Sequence, residues 1–121
     1  MIGYVTLGTN DLARGAGFYD AVLAELGAKR VMDMERFIAW AVAPGTPMLL
    51  LMKPFDGKPA TVGNGTMVSL AAGSHEKVDA LYKQAIALGA ADEGAPGIRS
   101  GTFYGAYCRD LEGNKLCFFT M

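Results

Sequence analysis

The chain has 121 residues, a net charge of -1, 51% hydrophobic residues, two cysteines and a single histidine. That length suits one domain, which buries roughly two thirds of its unfolded surface and so needs no staple to hold a core. Interspersed charges exclude the basic field of a nucleic-acid binder and a polybasic membrane patch; two cysteines exclude a disulfide scaffold; no segment approaches the ~20 apolar residues of a spanning helix. The N-terminus has no charged region ahead of a long apolar run, so a soluble cytoplasmic protein with free thiols is expected, its partner a small molecule or another protein.

Ile2 to Leu7 is rich in β-branched and aromatic residues and predicts a strand. Thr9 or Asn10 then caps a predicted helix with Asp11 in its first turn. Leu12, Phe18, Tyr19, Val22, Leu23 and Leu26 recur at helical spacing until Gly27 stops it. Gly15 and Gly17 each weaken this helix by up to ~1 kcal/mol relative to alanine, so packing must stabilise it. Three extended stretches follow, Lys29 to Met34, Phe37 to Val42 and Met48 to Met52, the last two separated by the turn cluster Pro44-Gly45-Thr46-Pro47. A segment with two prolines and three glycines, Lys53 to Gly65, reads as a linker between a first module (1–53) and a second (66–121) of a single domain. In the second module Met67 to Ala71 predicts a strand, and Ser74 caps a helix through Val78, Leu81, Tyr82, Ala85, Ile86 and Leu88 to Gly89. Gly94 to Gly101 fits neither the dinucleotide nor the P-loop spacing and reads as turns and a mobile lip. Strands over Phe103 to Arg109 and Lys115 to Thr120 close the chain around Leu111-Glu112-Gly113-Asn114.

The halves echo one another. Gly3 to Leu7 reads like Thr66 to Leu70, and Leu26-Gly27-Ala28 like Leu88-Gly89-Ala90, at offsets of 63 and 62 residues. Self-similarity at half the chain length indicates a duplicated supersecondary unit.

Two strand-helix-strand-strand-strand units, with Val5-Thr6-Leu7, Asp11-Leu12, Phe18-Tyr19, Leu23, Leu26-Gly27, Gly63-Asn64-Gly65-Thr66 and the Arg109-Asp110 to Asn114 hairpin in this order, resemble the vicinal oxygen chelate superfamily of glyoxalases, bleomycin-resistance proteins and extradiol dioxygenases. The resemblance spans the whole chain. It implies an α+β fold of two βαβββ modules, their curved mixed sheets around a cleft and their helices on the outer face, and commonly a homodimer. Metal enzymes of the superfamily hold a divalent ion with His, Glu or Gln from the first and last strands of each unit. The matching positions here are Tyr4, Leu49, Met67 and Cys117. None is a histidine or carboxylate, so no metal and no cofactor is expected. His75 follows the cap Ser74 at the start of a helix and reads as a solvated surface residue, with no second histidine to form a pair.

Strand alternation from these positions assigns Tyr4, Thr6, Leu49, Leu51, Met67, Ser69, Cys117 and Phe119 to the cleft wall, with Val5, Leu7, Val68 and Leu70 packed under the helices. Trp40, Phe37 and Tyr104 could add a stacking surface and Arg99 an anion contact. The alternative is that these side chains simply fill a barrel interior. Two functions of different class follow. One is metal-free binding of a small, partly hydrophobic molecule in the cleft; the other is a lyase or dioxygenase-type enzyme with atypical site residues, such as Tyr4 or Cys117 as acid, base or nucleophile. A four-residue loop over Leu111 to Asn114 would pair Asp110 with Lys115 and set Cys108 directly opposite Cys117, as adjacent reduced thiols on one face.

Overall fold

The computed structural model describes Met1–Met121. In chain order the elements are β1 (Tyr4–Gly8), α1 (Leu12–Ala24), β2 (Lys29–Asp33), β3 (Phe37–Ala41), β4 (Met48–Met52), β5 (Val68–Ala71), α2 (His75–Ala87), β6 (Ala91–Ser100), β7 (Phe103–Arg109) and β8 (Lys115–Thr120). They form two compact units, Met1–Val62 and Gly63–Met121. Each is a βαβββ module with one mixed sheet, ordered β1-β4-β3-β2 in the first and β5-β8-β7-β6 in the second. In both, the first strand pairs parallel with the last and the other neighbours are antiparallel. The duplication in the sequence is therefore a duplication of topology, and the fold is α+β as expected.

In the first unit, α1 packs on β2, β3 and β4 through Phe18, Tyr19, Val22 and Leu23, all buried. The cap differs from the expectation. Asp11 is the N-cap and accepts the Arg14 N–H at 3.1 Å, while the Thr9 hydroxyl accepts the Asp11 N–H, also at 3.1 Å. Asn10 is directed elsewhere: its amide exchanges two hydrogen bonds with the backbone of Ala60, tying the segment after β4 to the start of the helix. Trp40 lies buried against Tyr19 and donates its indole N–H to Asp20 at 2.9 Å. Arg30 grips the same carboxylate through two N–H donors at 2.8 and 2.7 Å, which holds Asp20 below the usual carboxylate range.

The two helical glycines are not equivalent. A methyl at Gly15 would come within 2.6 Å of the Leu51 side chain, which is itself buried, whereas one at Gly17 would meet nothing within 4 Å. Gly15 lets α1 settle onto β4; Gly17 only costs helix propensity. Gly17→Ala is therefore expected to stabilise the protein by about 0.5–1 kcal/mol and Gly15→Ala to give no gain or a loss, as read by urea midpoints. Equal gains at both positions would show that α1 is not seated closely on Leu51.

In the second unit, α2 starts at the expected cap, Ser74, whose hydroxyl accepts the Lys77 N–H at 3.1 Å. Val78, Leu81 and Ala85 bury its inner face against β6, β7 and β8. The stretch expected as turns and a mobile lip is instead the ten-residue strand β6. Its pairing with β7 is irregular at Asp92/Gly94, Gly94/Gly97 and Ile98/Ser100. β6 is an edge strand, where Pro96 costs no ladder bond and glycines accommodate the bulges.

Candidate functional site

Parity along the strands sorts the side chains of each sheet into a helix-facing set and an open-facing set. In the first unit Leu7 is buried and Tyr4 and Thr6 are exposed, as expected of a helix-facing and an open-facing position. Tyr4 pairs with Met48 and Thr6 with Leu50, while Val5 pairs with Leu49 and Leu7 with Leu51. Trp40, bonded to Asp20 of α1, pairs with Leu49. Leu49, Leu51 and Trp40 thus belong to the core beneath α1, and their assignment to the ligand wall is corrected. The open face carries Tyr4, Thr6, Phe37, Met48, Leu50 and Met52 instead. Register was off by one residue on β4, and a one-residue slip reverses every face.

In the second unit Ser69 pairs with Cys117 and Cys117 with Tyr107, while Ala71 pairs with Phe119 and Phe119 with Gly105. Ser69, Cys117, Phe119 and Tyr107 share the open face, and Met67, 42% exposed, precedes it on the same parity. Tyr104 does not. It pairs with Thr120 on the other face, stacks on His75 of α2 with ring centroids 3.9 Å apart, and donates its hydroxyl to Asp79 at 2.6 Å. His75 is exposed but is a stacking partner, not a purely solvated side chain.

The cysteines lie on opposite faces. Cys108 pairs with Leu116, and Arg109 with Lys115. The loop is one residue shorter than expected, because Asp110 and Asn114 close it: the Asp110 N–H donates to Asn114 O at 2.9 Å, and Gly113, at φ 100°, donates to Asp110 O at 3.0 Å. This is a three-residue hairpin loop with a left-handed glycine. The buried Asp110 carboxylate accepts the N–H groups of Glu112 and Asn114 and the Asn114 side-chain amide, each at 2.9 Å. Burial pushes the Cys108 thiol up to about 12 and raises that of Cys117 as well, although the hydroxyls of Ser69 and Tyr107 bond to the Cys117 sulfur and favour its thiolate. Neither thiol is set up as a nucleophile.

Arg99, expected in a Gly-rich loop at the rim, stands instead on β6 with its side chain on the open face against Tyr107. Its guanidinium carbon lies 5.3 Å from the Tyr107 ring centroid and the Lys115 ammonium 5.7 Å from the same point. The glycines of β6 make room for it: a Cβ at Gly94 or Gly97 would come within 3.1 or 3.0 Å of the guanidinium nitrogens. Arg99 also donates to Ala95 O from within this cradle. Two residues beyond Cys117 on β8, Phe119 stacks on Phe103 with nearly parallel rings, centroids 5.3 Å apart, above Gly105. Tyr107 follows from parity once Cys108 is placed on the helix side.

The donor set does not fit a hard divalent ion. No group of three or more His, Cys, Asp or Glu side chains comes together, and with β4 in its true register the position assigned to Leu49 passes to Leu50, which donates nothing either. No helix is long and apolar enough to cross a membrane.

A family model described as a glyoxalase-like domain matches residues 4–119. Among solved structures, a glyoxalase/bleomycin resistance protein from Albidiferax ferrireducens T118 is 37% identical, with a TM-score of 0.90 over 98% of this chain and 97% of that one. A glyoxalase/bleomycin resistance protein/dioxygenase family enzyme from Burkholderia phytofirmans PsJN is 20% identical, with a TM-score of 0.76 over 97% and 95%. A lactoylglutathione lyase from Agrobacterium tumefaciens is 22% identical, with a TM-score of 0.71 over 98% and 92%. The last two share the fold. No curated protein matches the chain.

Proposed function

The chain belongs to the glyoxalase-like domain family of the vicinal oxygen chelate superfamily, and on that premise we propose that it binds a small, partly hydrophobic molecule on its open sheet faces, without a catalytic metal, as a cytoplasmic homodimer. One observation carries the reading: the open face of the second sheet combines an aromatic platform with hydroxyls, a thiol and a cradled cation, and offers no ligand set for a hard metal. Apolar surface with a few placed polar groups is the usual makeup of a small-molecule site. The enzyme reading finds less support, since burial keeps the Cys117 thiol protonated. Pairing with a second copy is supported by the edge strand β2, where between charged Lys29, Arg30 and Asp33 the apolar Val31 and Met32 are about half exposed and Met34 follows at 58%. Free thiols at Cys108 and Cys117 suit a reducing compartment.

Native mass spectrometry of the purified protein tests these parts together. The expected species is twice the 12.8 kDa chain mass, carrying a small organic adduct that denaturation releases and no stoichiometric nickel, zinc, iron or manganese. One equivalent of any of those metals retained through gel filtration, with turnover lost on chelation, would favour the enzyme instead. A bare 12.8 kDa species would rule out the dimer.

A further inference from the structure

The open face of the second sheet has two ends of different chemistry. At one, Phe103 and Phe119 stack over Gly105, whose missing side chain leaves room for the Phe103 ring: a Cβ there would lie 2.8 Å from it. At the other, Arg99 and Lys115 sit over a single tyrosine ring beside Ser69 and Cys117. The Tyr107–Cys117 pair is one two-residue step, about 7 Å at ~3.3 Å per residue, from the Gly105–Phe119 pair, and Lys115 starts a further two residues along β8.

Arg99 on β6 and Lys115 on β8 reach the Tyr107 ring from the strands that flank β7, and neither cation has a carboxylate within ion-pair distance. The nearby acid Glu93 pairs with Arg109 in a short ion pair and reaches Lys115 only through space, leaving Arg99 without an acidic partner. Arg99, though exposed, is held in place by Ala95 O, the Tyr107 ring and the space that Gly94 and Gly97 leave open. A guanidinium so positioned keeps most of its five donors for a partner with several acceptor oxygens. The field of both cations also reaches the Cys117 sulfur, where each favours negative charge.

The geometry points to an anionic amphiphile as the ligand of this face: a planar apolar body lies against the stacked Phe103 and Phe119 rings, and its carboxylate, sulfonate or phosphate group, directed along the strands toward Tyr107, is received by Arg99 in the field that Lys115 adds. This rests on the small-molecule reading above and narrows it to a charge and a polarity of approach. Ser69, exposed beside Cys117, provides a hydroxyl at the same end.

Two fluorescent probes separate the two claims. 8-Anilinonaphthalene-1-sulfonate and N-phenyl-1-naphthylamine share one apolar body, and only the first carries an anion. Titration of the wild-type protein is expected to give a Kd at least about tenfold lower for the sulfonate than for the neutral probe. The double substitution Arg99→Gln/Lys115→Gln is expected to weaken the sulfonate about 10- to 100-fold and leave the neutral probe within about twofold. Arg99 is exposed and Lys115 half-buried, and circular dichroism and a urea midpoint check that the variant folds. Arg36→Gln, at a separate cationic cavity of about 440 Å³ in the first unit, is the control and should change neither probe.

Equal affinity for the two probes, unchanged sulfonate binding in the double variant, or a loss that follows Arg36 instead would each overturn the anion site while leaving apolar binding intact. Sulfonate binding that depends on Arg99 and Lys115, with no binding of the neutral probe, would uphold the anion site and count against the hydrophobic reading. Failure of both probes to bind would overturn both.

Discussion

Trp40→Ala is expected to lower stability by about 3–5 kcal/mol, the range for truncating a large buried aromatic. Trp40 is 1% exposed and its ring packs on Tyr19 with centroids 5.8 Å apart, so its removal opens a void between β3 and α1. The indole N–H is also one of three donors on Asp20, and its loss leaves the carboxylate to Arg30 alone. Trp40→Phe separates the two effects. It keeps most of the ring volume and removes the hydrogen bond, for an expected cost of about 1–2 kcal/mol. Urea unfolding followed by far-UV circular dichroism reads both. A cost under about 1 kcal/mol for Trp40→Ala would mean that the β3 to α1 contact does not carry the first unit.

Asp110→Ala is expected to cost about 2–4 kcal/mol, since it removes a buried acceptor of three hydrogen bonds and leaves the buried Asn114 N–H and side-chain amide without that partner. Asp110→Asn keeps one oxygen for the two backbone N–H groups but sets an amide against the Asn114 amide, so an intermediate cost of about 1 kcal/mol is expected. The same urea titrations read this pair. If Asp110→Ala proves neutral, the turn is specified by Gly113 alone.

Those two residues also show what was and was not legible in the sequence. Both modules, both helices and the strands other than β6 follow from periodicity, because an amphipathic helix and a half-buried strand announce themselves at periods of 3.6 and 2. The repeat supplied the topology, and it is found in both sheets. Faces were harder, since each depends on counting a turn correctly. Asp110-Leu111-Glu112-Gly113 carries aspartate first and glycine fourth, the signature of a type I turn, and that signal would have set the loop at three residues. Counting four placed Cys108 beside Cys117 and hid Tyr107. On β4 a shift of one residue, Leu49 for Leu50, turns Leu49 and Leu51 toward the wrong face. Tyr4, Thr6, Met67, Ser69, Cys117 and Phe119 lie on the open face of their sheets, the face that the family pattern on β1, β5 and β8 assigns without any loop count. β6 was hidden for another reason: glycine and proline lower strand propensity, and only its edge position accommodates them.

The parallel pairing of β1 with β4 carries a consequence for how the chain reaches this structure. Tyr4 lies beside Met48, and Val68 beside Leu116, so in each module the first strand can be placed only after more than forty intervening residues have been organised. Closing so long a segment is entropically unfavourable until contacts reward it, whereas the neighbouring strands β3 and β4, or β7 and β8, meet across short turns. Each module is thus expected to assemble from its C-terminal hairpin, with the helix settling on it and the leading strand docking last. Pulsed hydrogen exchange during refolding should protect the amides of β7 and β8 before those of β5, and those of β3 and β4 before those of β1. Simultaneous protection of all strands would mean that the first strand is already in place at the rate-limiting step.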